Sequence, residues 1–210
     1  MKERGMIFNA EMVRAILDGR KTQTRRVLAT YQDAVKFCPE WDVNGKQIFI
    51  VLGEKDHTGM NPVITAIPCP FGQPGDRVWV RETFRVHSRA TDVATLVYRA
   101  SVRNSWTEQT HRVPVAVCNK PATPEKWTPS IHMPRWASRI TLEITGVRVE
   151  RLNSITESDA EAEGVTDTGF GDLLVDGYRY LWKSIYGEES WTANPWVWVI
   201  EFKRVEGGAA

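Results

Sequence analysis

The sequence predicts a mainly β protein of the α+β class, a small closed or half-open β-barrel with helices at its periphery. Most of its apolar residues fall in short runs that alternate with polar residues, which is the pattern of half-buried strands. Only a few segments have helical spacing, and they lie between the predicted strands. A chain of 210 residues can bury a substantial core, so we expect one domain over 1–210.

The first predicted elements are a short strand and a helix. Met6–Phe8 is an apolar run that ends at Asn9, a good N-cap for a helix over Glu11–Leu17. Gly19 fits the C-cap of this helix. The helix has an apolar stripe at the spacing expected for one buried face, formed by Met12, Val13, Ile16 and Leu17.

A dense basic run follows the helix at residues 20–26. If this run is extended, its side chains alternate between two faces, which are Thr22, Thr24 and Arg26 on one side and Lys21, Gln23 and Arg25 on the other. A twist or bulge near Gly19 would bring Lys21 to the same cleft as the threonines. A lysine beside a hydroxyl, flanked by arginines, can bind phosphate or activate a nucleophile. A solvated basic turn is the alternative.

The rest of the chain reads as strands with two more helices. The helices are Thr156–Glu163, which starts with a capping box and stops at Gly164, and Leu173–Tyr186. Pro62–Pro74 reads as a structured loop. The predicted strands and hairpins are a hairpin over 42–52 with its turn at Asn44–Gly45, a strand between Gly75 and Phe84, Val93–Tyr98, Arg139–Leu152 with a kink at Gly146, and Trp196–Val205.

Two long stretches are predicted to be surface insertions. They cover approximately residues 28–73 and 101–136, and the second is polar, irregular and contains proline. Residues 206–210 are expected to form a frayed tail.

Charge and composition limit the function classes. The net charge of +1 gives no global attraction to nucleic acid, so any such contact must come from a local patch, and 20–26 is the densest one. No apolar run is long enough to span a membrane, and the first residues do not open a signal peptide, so we expect a cytoplasmic protein with no membrane partner. Cys38, Cys69 and Cys118 include no CxxC pair, which argues against a disulfide framework and against the usual zinc spacings, and His132 is the conceivable fourth ligand of such a site. We therefore expect no metal and no cofactor.

Two further segments carry candidate ligand-binding side chains. His132 and Arg135 combine a titratable ring and a cation next to Trp136, an aromatic platform of the kind that stacks a base, and a packed loop is the alternative. Arg81 and Glu82 lie on a predicted strand, where a cross-strand ion pair is the alternative to ligand binding.

The order of these motifs resembles the ASCH-domain proteins. The helix followed by Gly-Arg-Lys-Thr-x-Thr-x-Arg at 19–26, the Pro-Gly-Asp turn at 74–76 and the acidic helix at 156–164 occur in the same order in that family. The segments 69–72, 79–83, 130–139 and 194–198 are similar to the longer members common in phages and prophages. The resemblance implies a PUA-like β-barrel with peripheral helices and an association with RNA and modified nucleosides.

Within that family, the pattern is similar to the N4-acetylcytidine amidohydrolases. Their lysine, threonine, arginine and glutamate match Lys21, Thr24, Arg26 and Glu163. The resemblance implies that Thr24 is the nucleophile, Lys21 its base and Glu163 a further proton-transfer or orienting group. Cleavage of an exocyclic amide needs an activated nucleophile, a proton for the leaving amine and stabilisation of the oxyanion. Which of Lys21 and Glu163 is the base stays open.

Three functions fit these residues. The first is hydrolysis of the exocyclic amide of N4-acetylcytidine or a related acylated pyrimidine. The second is a non-catalytic module that binds RNA or a modified base, and the third is a ribonuclease that uses the same basic cleft. In each, Arg20, Thr22, Arg25 and Arg26 would contact the nucleoside, nucleotide or RNA. Arg25 is absent from the pattern of the small enzymes and favours a phosphate-bearing ligand.

Overall fold

A computed structural model of the chain describes residues 2–101, 110–166 and 173–205. Strands account for 37% and helices for 21%, which confirms the mainly β prediction. The chain divides into two compact units, of which the first comprises Met1–Gly19, Arg77–Glu143 and Arg204–Ala210 and the second Arg20–Asp76 and Ile144–Lys203. The single domain over 1–210 stays a prediction, and the predicted tail at 206–210 lies outside the described residues.

The described elements alternate short strands with four helices. The helices are α1 (Ala10–Leu17), α2 (Glu157–Ala162), α3 (Leu174–Tyr186) and α4 (Glu189–Thr192). None of the described helices is long and apolar enough to cross a membrane. The strands are β1 (Glu3–Ile7), β2 (Gln23–Val27), β3 (Lys36–Trp41), β4 (Gln47–Leu52), β5 (Val63–Ile67), β6 (Arg77–Arg81), β7 (Phe84–Arg89), β8 (Val93–Tyr98), β9 (Thr110–Pro114), β10 (Thr141–Arg151) and β11 (Trp196–Arg204).

The first unit contains two groups of paired strands. β1 pairs in parallel with β6, and β6 pairs in antiparallel with the first residues of β10, Thr141–Glu143. A separate antiparallel sheet has the order β7-β8-β9. One face of that sheet belongs to a buried apolar cluster, which includes Phe84, Val86, Ala94, Leu96, Tyr98, Val113 and Met133.

The second unit also contains two sheets. β11 lies between β10 and β2, and it pairs with β2 in antiparallel, with Thr24 opposite Ile200. The other sheet has the order β3-β4-β5. Helices α2 and α3 pack on the face of β11 that carries Val197 and Val199, and their buried cluster also contains Leu152, Ile155, Ala160, Tyr178 and Trp182.

Local sequence signals fix the ends of α1 and α2 as predicted. The Asn9 side chain accepts a hydrogen bond from the Met12 N–H at 2.8 Å, and Gly19 follows the helix in the left-handed region at φ 75°. Thr156 and Asp159 form the reciprocal capping box that opens α2, and Gly164 follows its end at φ 88°. These side chains and glycines satisfy backbone groups that a helix end leaves without partners.

Several predicted elements differ from the structure. The hairpin turn lies at Asn44–Gly45 as expected, but its first strand is β3, which precedes residue 42. β5 lies in the segment predicted to be a loop, and β9 lies in the segment predicted to be irregular. Gly146 lies inside β10, where a Cβ atom would come within 2.6 Å of the Glu201 carboxylate, so a close side chain accounts for this glycine.

The two predicted insertions contribute to the buried interior. Phe49 and Val51 of the first are 1% and 0% exposed, and Val113 and Met133 of the second belong to the apolar cluster of the first unit. Both stretches therefore carry more than surface loops. Residues 102–109 of the second stretch lie outside the described residues. Among the strands that the structure describes, no closed barrel is detected, so the closed form of the predicted barrel is not observed.

Candidate functional site

The structure brings Lys21 and Glu163 into direct contact, although 142 residues separate them in the sequence. The Lys21 Nζ donates a hydrogen bond to Glu163 Oε2 at 2.6 Å and another to the Glu163 backbone carbonyl at 2.8 Å. Lys21 lies two residues before β2, and Glu163 is the C-cap of α2. Their side chains are 0% and 1% exposed, so this ion pair is enclosed by protein.

Arg25 holds the other side of the same carboxylate. Its Nη1 lies 3.4 Å from Glu163 Oε1, and its Nη2 lies 3.3 Å from Glu150 and 3.2 Å from Asp159. The guanidinium also lies 5.9 Å from the centroid of the Tyr178 ring. Because the Arg25 side chain is 0% exposed and faces three carboxylates, its charge is balanced by the protein itself. The argument that Arg25 favours a phosphate-bearing ligand therefore loses its physical basis.

The alternation predicted for residues 20–26 is present in β2. The Gln23 side chain donates to Asp159 at 3.2 Å, so Gln23 and Arg25 both face α2. Alternation along the strand then places Thr24 and Arg26 on the opposite face. Thr24 is buried at 2% exposure. The structure thus brings Lys21, Arg25 and Glu163 together, and Thr24 lies on the other side of the strand from Arg25.

The surroundings of Lys21 hold its pKa below the ordinary value. Burial is the largest cause, because it penalises the charged ammonium. The carboxylate of Glu163 acts in the opposite direction, whereas the charges of Arg26 and Arg25 lower the pKa further. Burial, followed by the Glu163 charge, raises the pKa of the neighbouring Tyr178 well above its ordinary value. The site therefore favours a lysine that gives up its proton more readily than a lysine in water.

A second group of charges surrounds Arg148 beside this pair. Its Nη2 lies 2.7 Å from Asp159 Oδ1 and donates to the Gln23 side chain at 3.2 Å. Arg148 also forms ion pairs with Glu150 and Glu201. Burial raises the pKa of Asp159, but hydrogen bonds from Thr156 and the charge of Arg25 outweigh it and leave this pKa at about 2. Asp159 therefore stays ionised.

A cavity of about 330 Å³ lies next to these charges. This volume is at the lower end of the range for small-molecule sites. Lys21 and Glu163 do not line it, but their sequence neighbours do. The lining consists of Thr22, Gln23, Thr145, Ser158, Asp159, Ala162, Glu201 and Phe202.

Sequence reasoning missed Arg148, Glu150, Asp159 and Glu201 as members of the site. Asp159 had a signal in the sequence, since it is the N3 residue of the capping box, but that signal indicated a helix end only. Arg148 and Glu150 lie on a strand that was predicted correctly. Their charge partners depend on how that strand packs against α2, and no local sequence pattern predicts this packing.

The remaining basic-run candidates lie at the edge of this site. Arg20 is exposed, and its Nη1 donates to the carbonyl of Gly164 at 3.1 Å. The Thr22 backbone N–H donates to the Ala162 carbonyl at 2.8 Å, which ties the start of β2 to the end of α2.

The other four candidates belong to the first unit, whereas Lys21 and Glu163 belong to the second. Arg81 donates to the backbone carbonyls of Ser130 and Ile131, and Arg135 forms an ion pair with Glu3 at 3.0 Å. Glu82 is 2% exposed and accepts two hydrogen bonds from Arg139, at 2.9 and 3.0 Å. The ion pair of Glu82 is thus with Arg139. His132 ends a short 3₁₀ turn that begins at Ser130. For these four, ligand binding stays a prediction.

The cysteines are free thiols, with Cys69 and Cys118 buried and Cys38 half-buried. Within the described ranges, no group of three or more His, Cys, Asp or Glu residues is arranged to hold a metal ion.

Comparison with known proteins gives little beyond this geometry. No family model matches the chain, and no curated protein matches it. Similar solved structures include an ASCH domain from Lactobacillus crispatus, which is 13% identical with a TM-score of 0.40 and covers 97% of this chain and 79% of that one. Another is a DUF984 protein from Enterococcus faecalis, also 13% identical with a TM-score of 0.40, covering 98% and 80%.

Proposed function

We propose that this chain is a PUA-like ASCH protein directed at nucleosides or nucleic acids, and that it hydrolyses the exocyclic amide of N4-acetylcytidine or a related N-acylated pyrimidine. The observation that carries the proposal is the contact between the Lys21 amine and the Glu163 carboxylate at 2.6 Å. These are two of the residues that the resemblance assigns to catalysis, and they come from distant parts of the chain. Their contact is the geometry expected of a proton-transfer pair.

In the proposed reaction, the Thr24 hydroxyl attacks the acyl carbon. Lys21 passes its ammonium proton to Glu163. The resulting amine accepts the hydroxyl proton and delivers it to the departing exocyclic nitrogen, which leaves as the amine of the pyrimidine. Water then hydrolyses the acyl-threonine ester and releases the carboxylic acid. The lowered pKa of Lys21 supports the base role, because an amine must be deprotonated to accept a proton at neutral pH.

The proposal places one geometric demand on the ligand. Lys21 lies two residues before β2 and contacts the same carboxylate as Arg25, whereas Thr24 lies on the face opposite Arg25. Both the Thr24 hydroxyl and the acyl group must therefore come within reach of the Lys21 amine at the end of the strand. Arg26 shares the Thr24 face by strand alternation, and its charge acts on Lys21. Arg26 is therefore the cation that we assign to the developing oxyanion or to the pyrimidine carbonyl.

The charge balance of the site supports a nucleoside over an RNA phosphate. Lys21, Arg25 and Arg148 are each held by carboxylates of the protein at short distances. A scissile phosphate would have to displace those carboxylates before it could use these cations. This observation weakens the ribonuclease alternative.

A non-catalytic reader of a modified base is the second candidate. It is favoured by the enclosure of Lys21 and Glu163, whose side chains are 0% and 1% exposed. The neighbouring cavity of about 330 Å³ has hydroxyl, amide and carboxylate groups that can bind the polar edge of a base. In a reader, the ion pair would serve only to fix β2 against α2.

Turnover of N4-acetylcytidine tests the hydrolase directly. Purified protein is expected to convert it to cytidine, measured by reversed-phase chromatography. Thr24→Ala and Lys21→Ala should each lower the rate by about 10²-fold or more, because one removes the nucleophile and the other its base. Arg26→Ala should mainly raise KM, since it removes a binding contact.

Thr22→Ala is the matched control, because it removes a nearby hydroxyl that lines the cavity and has no role in proton transfer. It should retain the wild-type kcat, and thermal melts should show that all four variants are folded. Binding of N4-acetylcytidine without product at high protein concentration would establish the reader and end the hydrolase proposal. Cleavage of RNA with no release of cytidine would favour the ribonuclease.

A further inference from the structure

Residues 84–128 carry a concentrated positive charge that the net charge of the chain conceals. This segment has seven Lys and Arg residues against three Asp and Glu, a net charge of +4, in a chain whose total is +1. The rest of the chain is therefore net negative. Such an asymmetry indicates a local surface for an anionic partner.

The described part of this segment forms the β7-β8-β9 sheet, whose two faces differ sharply. Phe84, Val86, Leu96 and Tyr98 lie on the face that packs into the apolar cluster. The strand register places two rows of side chains on the other face, which are Arg85, Val97 and Thr110, followed by Ser88, Thr95 and Arg112. That outer face thus combines two arginines with hydroxyl groups.

A tryptophan lies beside the first of these arginines. Thr123 and Thr128 form backbone hydrogen bonds with Val86 and Phe84 at 2.8 to 3.2 Å, so the segment between them follows the edge of β7. This segment holds Trp127 next to Arg85, with the guanidinium 4.6 Å from the centroid of the indole ring. Arg85 and Trp127 are partly exposed and Arg112 is exposed.

The described cations of residues 84–128 differ from those around Lys21 in their partners. In the described ranges, no ion pair with a carboxylate forms at Arg85, Arg89, Arg99, Arg112, Lys120 or Lys126. Lys21 and Arg25, in contrast, are both neutralised by buried carboxylates. These cations of residues 84–128 are therefore available to an outside anion, whereas Lys21 and Arg25 of the basic run are not.

We propose that the outer face of the β7-β8-β9 sheet binds single-stranded nucleic acid through Arg85, Arg112 and Trp127. Arginines that lack carboxylate partners contact the phosphates, and the indole provides a surface on which a base stacks. A cationic face with an adjacent aromatic platform suits unpaired bases better than a lipid surface or an acidic protein, which have no base to stack. None of these residues belongs to the proposed hydrolytic site, so this inference stands independently of it.

Fluorescence anisotropy with fluorescein-labelled oligo(U) and oligo(dT) tests this surface. The wild-type protein should bind, and its affinity should fall as salt rises. Arg85→Glu/Arg112→Glu should weaken binding by at least tenfold, and the slope of log K against log salt should become shallower by about 1.4, because each phosphate contact to a single strand contributes about 0.7. Trp127→Ala should lose about tenfold in affinity with the salt slope unchanged.

Lys36→Glu/Lys55→Glu is the matched control, since it makes the same change in charge at two exposed lysines of the second unit. It should bind as the wild type does, and so should Thr24→Ala, which affects the hydrolytic site alone. If the lysine control lost as much affinity for the oligonucleotides as the arginine variant, the effect would come from net charge alone and the proposal would be wrong. The proposal would also be wrong if the wild-type protein bound neither oligonucleotide. Binding to phosphatidylserine vesicles or to polyglutamate in their place would identify a lipid surface or an acidic protein as the partner instead. Should the double variant fail to fold, Arg112→Ala carries the same test at one exposed position.

Discussion

Glu163 is the residue on which the buried charges of the second unit converge. Lys21 contacts one of its carboxylate oxygens and Arg25 contacts the other. A buried charge that loses its partner is costly, because it has neither water nor a counter-charge. Loss of Glu163 would leave two buried cations without this shared partner, whereas loss of Lys21 would leave Glu163 still facing Arg25.

We therefore expect Glu163→Ala to destabilise the protein more than Lys21→Met. The first change should lower the free energy of unfolding by about 3–5 kcal/mol. Lys21→Met should lower the free energy of unfolding by less, because methionine fills a similar volume and the Glu163 carboxylate still has Arg25 as a partner. Urea unfolding followed by circular dichroism measures both. A Lys21→Met variant as unstable as Glu163→Ala would mean that Arg25 does not support this carboxylate.

The residues of the site could be predicted from the sequence only in part. Lys21 and Glu163 are separated by 142 residues, and no periodicity or spacing relates them, so only the family resemblance paired them. Strand alternation placed Lys21 with Arg25 and Thr24 with Arg26, and β2 follows that pattern. The neutralisation of Arg25 could not be predicted from the sequence, because its partners Glu150 and Asp159 lie on another strand and on a helix that are distant in the sequence.

At the scale of elements, helix α2 positions Glu163 and also supports the next helix. The Glu157 side chain accepts hydrogen bonds from the backbone N–H groups of Leu174 at 2.7 Å and Val175 at 3.3 Å. Leu173, the N-cap of α3, makes no side-chain cap of its own. A carboxylate from α2 thus performs the capping function for α3 and meets the positive end of its helix dipole.

Glu157→Ala should lower the free energy of unfolding by about 1 kcal/mol, the usual cost of losing a cap. Glu161→Ala is the matched control, because it removes an exposed glutamate from the same helix and should change stability by less than about 0.5 kcal/mol. Both are measured by urea unfolding. Equal effects of the two substitutions would show that Glu157 does not cap α3.

Elements with local signals were predictable, and elements that depend on neighbours were not. β8 matches its prediction at both ends, since its sequence is rich in β-branched and aromatic residues. β3 contains Pro39 and β9 ends at Pro114, and proline argues against a strand in sequence. Both are edge strands of three-stranded sheets, where a missing N–H is tolerated, and their pairing with β4 and β8 decides the structure.

At the scale of the whole molecule, the path of the chain links the two compact units. The chain passes between them four times, after Gly19, Asp76, Glu143 and Lys203. The third of these crossings lies inside a single strand, β10, which covers Thr141–Arg151. Neither unit is a continuous segment, so neither can complete its own set of strands before most of the chain has been synthesised.

We expect this covalent path to make unfolding a single cooperative transition, as the proposed single domain requires. Urea unfolding followed by far-ultraviolet circular dichroism and by tryptophan fluorescence should give coincident curves with one midpoint. Glu163→Ala changes a residue of the second unit only. In hydrogen exchange it should nevertheless lower the free energy of opening in β8, a strand of the first unit, by the same amount as it lowers the global free energy of unfolding. Two separate transitions would show that the units unfold independently, and so would amide protection in β8 that Glu163→Ala leaves unchanged. Either result would mean that the chain has two domains and that the single-domain prediction is wrong.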